Sequence, residues 1–193
     1  MRWPRRCVAA LIAFVAPATG AFEVQRAEAT FEADEYRFEM TAVLDAPSSS
    51  VNAILRDYEN YKTLDARILE ARVIERNDAQ HFALLATTLR ACFGPICRNV
   101  KRVERVDETS MALVATTDPS RSDMQFGETH MQLSVLDDAR TRVTYRTRLK
   151  PDFWIPALVA RRMMLNTLED ATIDLFRNVE HRAQAIAKGA PPP

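Results

Sequence analysis

The sequence predicts an α+β fold in which a seven-stranded, curved antiparallel sheet wraps around one long C-terminal helix. Three observations predict it. A run with strict alternation spans Tyr36 to Leu44, and six further strand-like runs follow between Ile68 and Leu149, separated by short turn signals. After Pro151 the periodicity changes from two to 3.6 and holds to about Ala187.

In the first strand, Tyr36, Phe38, Met40, Ala42 and Leu44 alternate with Arg37, Glu39, Thr41 and Val43, as expected for a strand with one buried face. Asp45-Ala46-Pro47-Ser48 breaks it, and Pro47 suits a helix start. Val51, Ile54, Leu55 and Tyr58 then recur at helical spacing, with a second brief helical turn expected over 61–65. The six later strands are expected at 68–76, 82–90, 97–106, 111–117, 124–136 and 142–149. Asn77-Asp78, Gly94-Pro95, Asp107-Glu108, Asp118-Pro119-Ser120 and Asp137-Asp138 separate them, short connections that favour an antiparallel meander.

Met131, Leu133 and Val135 share one face with Val143, Tyr145, Thr147 and Leu149. The opposite face carries Glu128, His130, Gln132, Arg142, Arg146 and Arg148, the division of an antiparallel sheet with one wet face. Pro156 opens the last helix, whose stripe runs through Leu165, Leu168, Thr172, Leu175, Val179, Ala183 and Ile186. A helix of ~30 residues is about 45 Å long, enough to cross a whole sheet.

The N-terminus has the order of a cleaved export signal. Arg2, Arg5 and Arg6 precede an apolar run from Cys7 to Ala16 and then the small residues Thr19-Gly20-Ala21. The apolar run is about half of the ~20 residues that a spanning helix needs. The chain has 193 residues, with 26 basic and 26 acidic side chains. Cleavage near Ala21 removes three arginines and no acid, leaving 23 basic against 26 acidic groups. That near-neutral balance offers no footprint for nucleic acid. The expected organisation is a signal peptide at 1–21, a linker at 22–35, one domain at 36–187 and a disordered tail at 188–193, exported to the periplasm or secreted.

Three stretches carry a resemblance. Leu44-Asp45-Ala46-Pro47 leads into Val51 and Ile54-Leu55. Asp57-Tyr58-Glu59-Asn60-Tyr61-Lys62 is an aromatic segment before the second strand. Pro151-Asp152-Phe153-Trp154-Ile155-Pro156 enters the long helix. In these and in element order, the chain resembles the START-like (SRPBCC, polyketide cyclase/dehydrase-type) superfamily and its helix-grip fold. The resemblance implies an apolar cavity between sheet and helix that binds a lipid or another hydrophobic small molecule. A fold hosts many functions, so this is an analogy.

Cavity candidates are Met131, Leu133, Tyr145, Phe153, Trp154, Met163, Met164 and Leu168, the methionines being adaptable to a bulky apolar ligand. Ordinary core packing competes at each of them. Trp154 beside Arg161-Arg162 also suits a transient contact with a membrane surface.

Cys92 and Cys97 flank a Phe-Gly-Pro-Ile turn, and a disulfide closing that small loop would contribute about 2 kcal/mol. Two free thiols, or redox or metal work, are the alternatives. Redox pairs usually read Cys-x-x-Cys at a helix start, and His81, His130 and His181 lie on separate elements. His130 falls on the wet face with Glu128, and Asp170 and Glu169 read as solvated or paired.

No glycine-rich phosphate loop, His-Glu-x-x-His or nucleophile elbow occurs, and no catalytic residue, metal or cofactor is assigned. The reading is therefore a monomeric, non-enzymatic periplasmic protein that binds or carries a hydrophobic ligand. The alternatives are a cyclase/dehydrase-type enzyme on an apolar substrate and a cell-envelope interaction or assembly factor.

Overall fold

The computed structural model describes residues 22–93, 96–154 and 159–189. Eight strands form one antiparallel sheet: β1 (Glu23–Glu32), β2 (Glu35–Leu44), β3 (Ile68–Asn77), β4 (Phe82–Phe93), β5 (Ile96–Thr109), β6 (Ala112–Thr117), β7 (Met124–Val135) and β8 (Thr141–Pro151). Helix α1 (Ser48–Arg56) and a 3-10 helix (Tyr58–Thr63) follow β2, and α2 (Val159–Ala187) is the last element. The strand order is β1-β2-β8-β7-β6-β5-β4-β3, so the α1 segment carries the chain from β2, second from one edge, to β3 at the opposite edge.

The expected strand count is corrected from seven to eight. Residues 22–35, expected as a linker, contain β1, paired to β2 from Glu23↔Val43 to Glu32↔Glu35. The two-residue turn between them, Ala33-Asp34, has φ of 51° and 61°. Positive φ at both positions gives a twist that matches the flanking strands. The expected signal peptide (1–21), the Gly94-Pro95 turn, the Pro156 helix start and the last residues of the tail lie outside the described residues.

The alternation of β2 has the expected consequence: Tyr36, Phe38, Met40, Ala42 and Leu44 are all buried. A twisted sheet curls, and its concave face is closed by the long helix. Phe176, Val179 and Ala183 of α2 are fully buried there, against Val51, Ile54 and Leu55 of α1 and the β2 stripe. Burial of a side chain such as Phe176 contributes about 1.5–3 kcal/mol. Polar ties set the height of α2 over the sheet. Asn178 donates to the Leu64 carbonyl at 2.8 Å, Arg182 to Thr63 at 2.9 Å and Gln184 to Asp45 at 2.9 Å.

A second, smaller cluster under the start of α2 joins Tyr36, Val100, Met124 and Leu149, with Phe31, Phe153, Met164 and Leu168 packed against it. The convex face is wet. Arg148 meets Glu35 at 3.0 Å and Glu128 at 3.6 Å, and His130 meets Glu128 at 2.8 Å. Such exposed pairs are each worth roughly 0–1 kcal/mol.

Candidate functional site: two apolar chambers under the long helix

The site is built from the inward faces of β4, β5, β7 and β8, roofed by the 3-10 helix and α2. On β5 the residues facing inward are Val100, Arg102, Glu104 and Val106, and their β4 partners are Leu89, Thr87, Leu85 and Ala83. Two charged residues, Arg102 and Glu104, therefore stand on this face among its apolar side chains and Thr87.

Two chambers lie along this face. The inner one, about 180 Å³, is bounded by Tyr58, Tyr61, Leu85, Met131, Tyr145 and Leu175 among others. The outer one, about 160 Å³, lies towards the start of α2 and is bounded by Val100, Leu149, Phe153, Met164, Leu168 and Ala171 among others. Leu89 and Arg102 line both, so the chambers meet at these two side chains. A dry cavity of ~150 Å³ accommodates a benzene-sized group.

The Arg102 guanidinium donates through one terminal nitrogen to Glu104. Glu104, 7% exposed, also accepts from the Thr117 hydroxyl at 3.2 Å. The Arg102 Nε is buried and has no hydrogen-bond partner. Tyr61 donates its hydroxyl to the Leu55 carbonyl, and burial raises its pKa well above the ordinary value. Burial also raises Tyr145, whose ring meets Phe176 edge-on at 5.6 Å. Thr129 and Thr147, bonded to each other at 2.8 Å, hydrogen-bond with Tyr145 and oppose that rise. Both phenols are therefore neutral hydrogen-bonding groups at physiological pH, and neither is poised as a base.

Of the residues singled out from the sequence, Met131 and Tyr145 face each other in register on β7 and β8 and wall the inner chamber. Phe153, Met164 and Leu168 come together on the outer one. Leu133 is packed in the core, 4% exposed, and lines neither chamber. Met163 is half-buried and lines neither chamber. Trp154 is 82% exposed, pointing to solvent rather than into the cavity. Asp170 is exposed on α2, and His130 is exposed on the convex face.

Cys92 and Cys97 form a disulfide, S–S 2.06 Å, across the β4–β5 ladder. The next pair along that ladder, Ala91↔Arg98, faces inward. The Arg98 guanidinium lies 3.9 Å from the ring centre of Phe153, so the cross-linked hairpin packs on the outer chamber's own wall. Among the described residues no three His, Cys, Asp or Glu side chains gather as a metal site, and no helix is long and apolar enough to cross a membrane.

No family model matches the sequence, and no curated protein matches it. Solved structures do. The aromatase/cyclase Zhui from Streptomyces sp. R1128 superposes with a TM-score of 0.66 at 15% identity, covering 81% of this chain and 99% of its own. A STAR-related lipid transfer protein from Xanthomonas axonopodis matches with a TM-score of 0.59 at 12% identity, over 82% of this chain and 98% of its own. Human STARD10 matches with a TM-score of 0.57 at 14% identity, over 84% of this chain and 76% of its own. The chain has the START-like, SRPBCC-type helix-grip fold. At these identities the likeness is one of fold.

Proposed function

We propose that the protein is a non-enzymatic periplasmic binder or carrier of a hydrophobic small molecule with one polar end. The observation that carries this is the pair of apolar chambers meeting at Leu89 and Arg102, where a buried guanidinium Nε lacks a partner. An unsatisfied buried donor costs about 1–3 kcal/mol, which a ligand's carbonyl, hydroxyl or carboxylate oxygen would recover. Each apolar methylene placed in a chamber adds roughly 0.8 kcal/mol. With chambers of about 180 and 160 Å³, the reading favours a ligand of one or two rings or a short chain.

The enzyme alternative is less well supported. The cavity phenols are shifted upwards, away from neutrality, and Asp170 faces solvent. The ligand's way in would be at the outer chamber, beside the start of α2. There the exposed Trp154, with Arg161 and Arg162, would make transient contact with a membrane surface.

Native mass spectrometry of protein purified from the cell envelope, without detergent exchange, tests the reading. A bound apolar molecule that is lost or weakened in Arg102→Gln is the expected result. A chain that carries nothing and takes up no hydrophobic probe would sink it.

A further inference from the structure

Glu180 is an anomaly in the roof of the fold. It is 3% exposed on the sheet-facing side of α2, at the opposite end of the helix from the outer chamber. Its carboxylate accepts two backbone N–H groups, from Asp45 at 2.7 Å and from Phe22 at 3.1 Å. None of the ion pairs among the described residues includes it. A buried carboxylate without a cation is costly, and two amide donors only partly offset the lost hydration.

One donor is unlike the other. Phe22 directly follows Thr19-Gly20-Ala21, whose small residues one and three positions before the Ala21–Phe22 bond fit an export-peptidase cut there. Phe22 is also held in place on its own account. Its side chain packs against the main core cluster, and the Arg177 guanidinium lies 5.6 Å from its ring centre.

We propose that an export peptidase cuts between Ala21 and Phe22, and that the amine released is the missing counter-ion of Glu180. This rests on the export reading of residues 1–21. Water adds across the Ala21–Phe22 amide: the C–N bond breaks, Ala21 leaves as a carboxylate, and the proton it gives up stays on the Phe22 nitrogen as ammonium. The atom that already donates to Glu180 thereby changes from a neutral amide to a cation, with no movement of either partner required. Processing then does more than remove the leader. It neutralises a buried charge and fastens the first residue of β1's flank to α2 and to the β2–α1 junction.

Two chains test the ion pair, one beginning at Phe22 and one at Gly20, each with and without Glu180→Gln, by urea denaturation. The chain beginning at Phe22 is expected to have an unfolding equilibrium constant about five- to tenfold smaller, the margin between charged and neutral hydrogen bonds. That margin is expected to vanish in Glu180→Gln. Equal stabilities, or a margin that survives Glu180→Gln, would overturn the ion pair. Should Glu180→Gln not fold, N-acetylation of the chain beginning at Phe22 makes the same comparison. It is expected to behave like the longer chain, and an unchanged stability overturns the pair.

The processing step is tested by N-terminal sequencing of protein taken from the envelope, with Phe-Glu-Val-Gln expected. A different first residue overturns the cut. Chain found in the cytoplasm with Met1 intact overturns the cut and the export reading together, while the stability cycle still reads the ion pair on its own.

Discussion

Arg102 and Glu104 stand on the same side of β5, and the guanidinium of one donates to the carboxylate of the other at the junction of two apolar chambers. With side-chain exposures of 17% and 9%, neither has much water to fall back on. Arg102→Met alone leaves Glu104 buried without a cation and is expected to cost about 3–5 kcal/mol. The double change Arg102→Met, Glu104→Met removes both charges and is expected to match the parent or exceed it by about 1–4 kcal/mol. Urea unfolding of the three chains measures this, and an Arg102→Met chain as stable as the parent would contradict the pairing.

Leu89 is the apolar partner at the same junction, so its enlargement obstructs both chambers at once. Leu89→Trp is expected to weaken uptake of a hydrophobic fluorescent probe about tenfold or more, on the order of 1.4 kcal/mol. Overpacking is expected to cost about 1–3 kcal/mol of stability, so circular dichroism should report a folded chain. Undiminished uptake would place the ligand elsewhere.

All four tyrosines are raised, each chiefly by burial: Tyr36, Tyr58, Tyr61 and Tyr145. Tyr58 is raised further by donating to Glu108 at 2.7 Å. The unfolded chain releases these protons near pH ~10, whereas the folded chain retains them to higher pH. Above that point the native state holds more protons than the unfolded one, so stability falls as pH rises. Below about pH 9 these groups contribute no pH dependence. Tyrosinate absorbance should therefore appear late and together with unfolding. Early, independent titration of the phenols would contradict their burial.

Gly127 on β7 has no room for a side chain. A Cβ there would lie 2.2 Å from the Thr117 hydroxyl, the same hydroxyl that donates to Glu104. Gly127→Ala is expected to lose about 1–3 kcal/mol in thermal or urea unfolding. Thr117→Ala in the same chain should restore part of it, because the closest atom is gone. An Ala variant as stable as the parent would show that the strands separate freely at this point.

The β1–β2 turn stores a small strain that is easily removed. Ala33 has φ 51°, a conformation that asparagine tolerates better than alanine. Ala33→Asn is expected to add up to about 1 kcal/mol, or roughly 2–4 °C in Tm. A lowered Tm would mean that the hairpin does not close through this turn.

How far the sequence reveals such features depends on whether the pattern of a segment points to one face. β2 was legible because its inward side is uniformly apolar, β7 and β8 because theirs are largely apolar (Met131, Leu133, Val143 and Leu149), and α2 because its stripe persists for many turns. β1 was not. Its inward side carries small residues, Ala27 and Ala29, with a register shift after Val24, and its turn is Ala-Asp rather than a glycine turn. The Arg102–Glu104 pair was hidden by Val100, Val103 and Val106, which recur every third residue and so cannot share one face of a strand. All three are buried, because the β6–β7 connection covers Val103 from behind: its backbone bonds Ser122 at 2.8 Å and Asp118 at 2.8 Å. Met163 and Met164 show the limit on a helix. Adjacent positions point in different directions, and only Met164 reaches a chamber. Trp154 lies between strand and helix, where no period says which way a side chain turns.

The strand order has a consequence in time. β2 sits between β1 and β8, so the N-terminal hairpin has no place in the sheet until the last strand has been made. Glu35 and Arg148, bonded at 3.0 Å, are 113 positions apart along the chain. Closing so long a loop costs entropy before any contact rewards it, and sheets joined this way are slow to form. The β3–β8 meander can assemble from neighbour to neighbour, whereas β1 and β2 join it at the end. During that interval the β8 edge is open, and the completed grip dates from the moment β2 covers it.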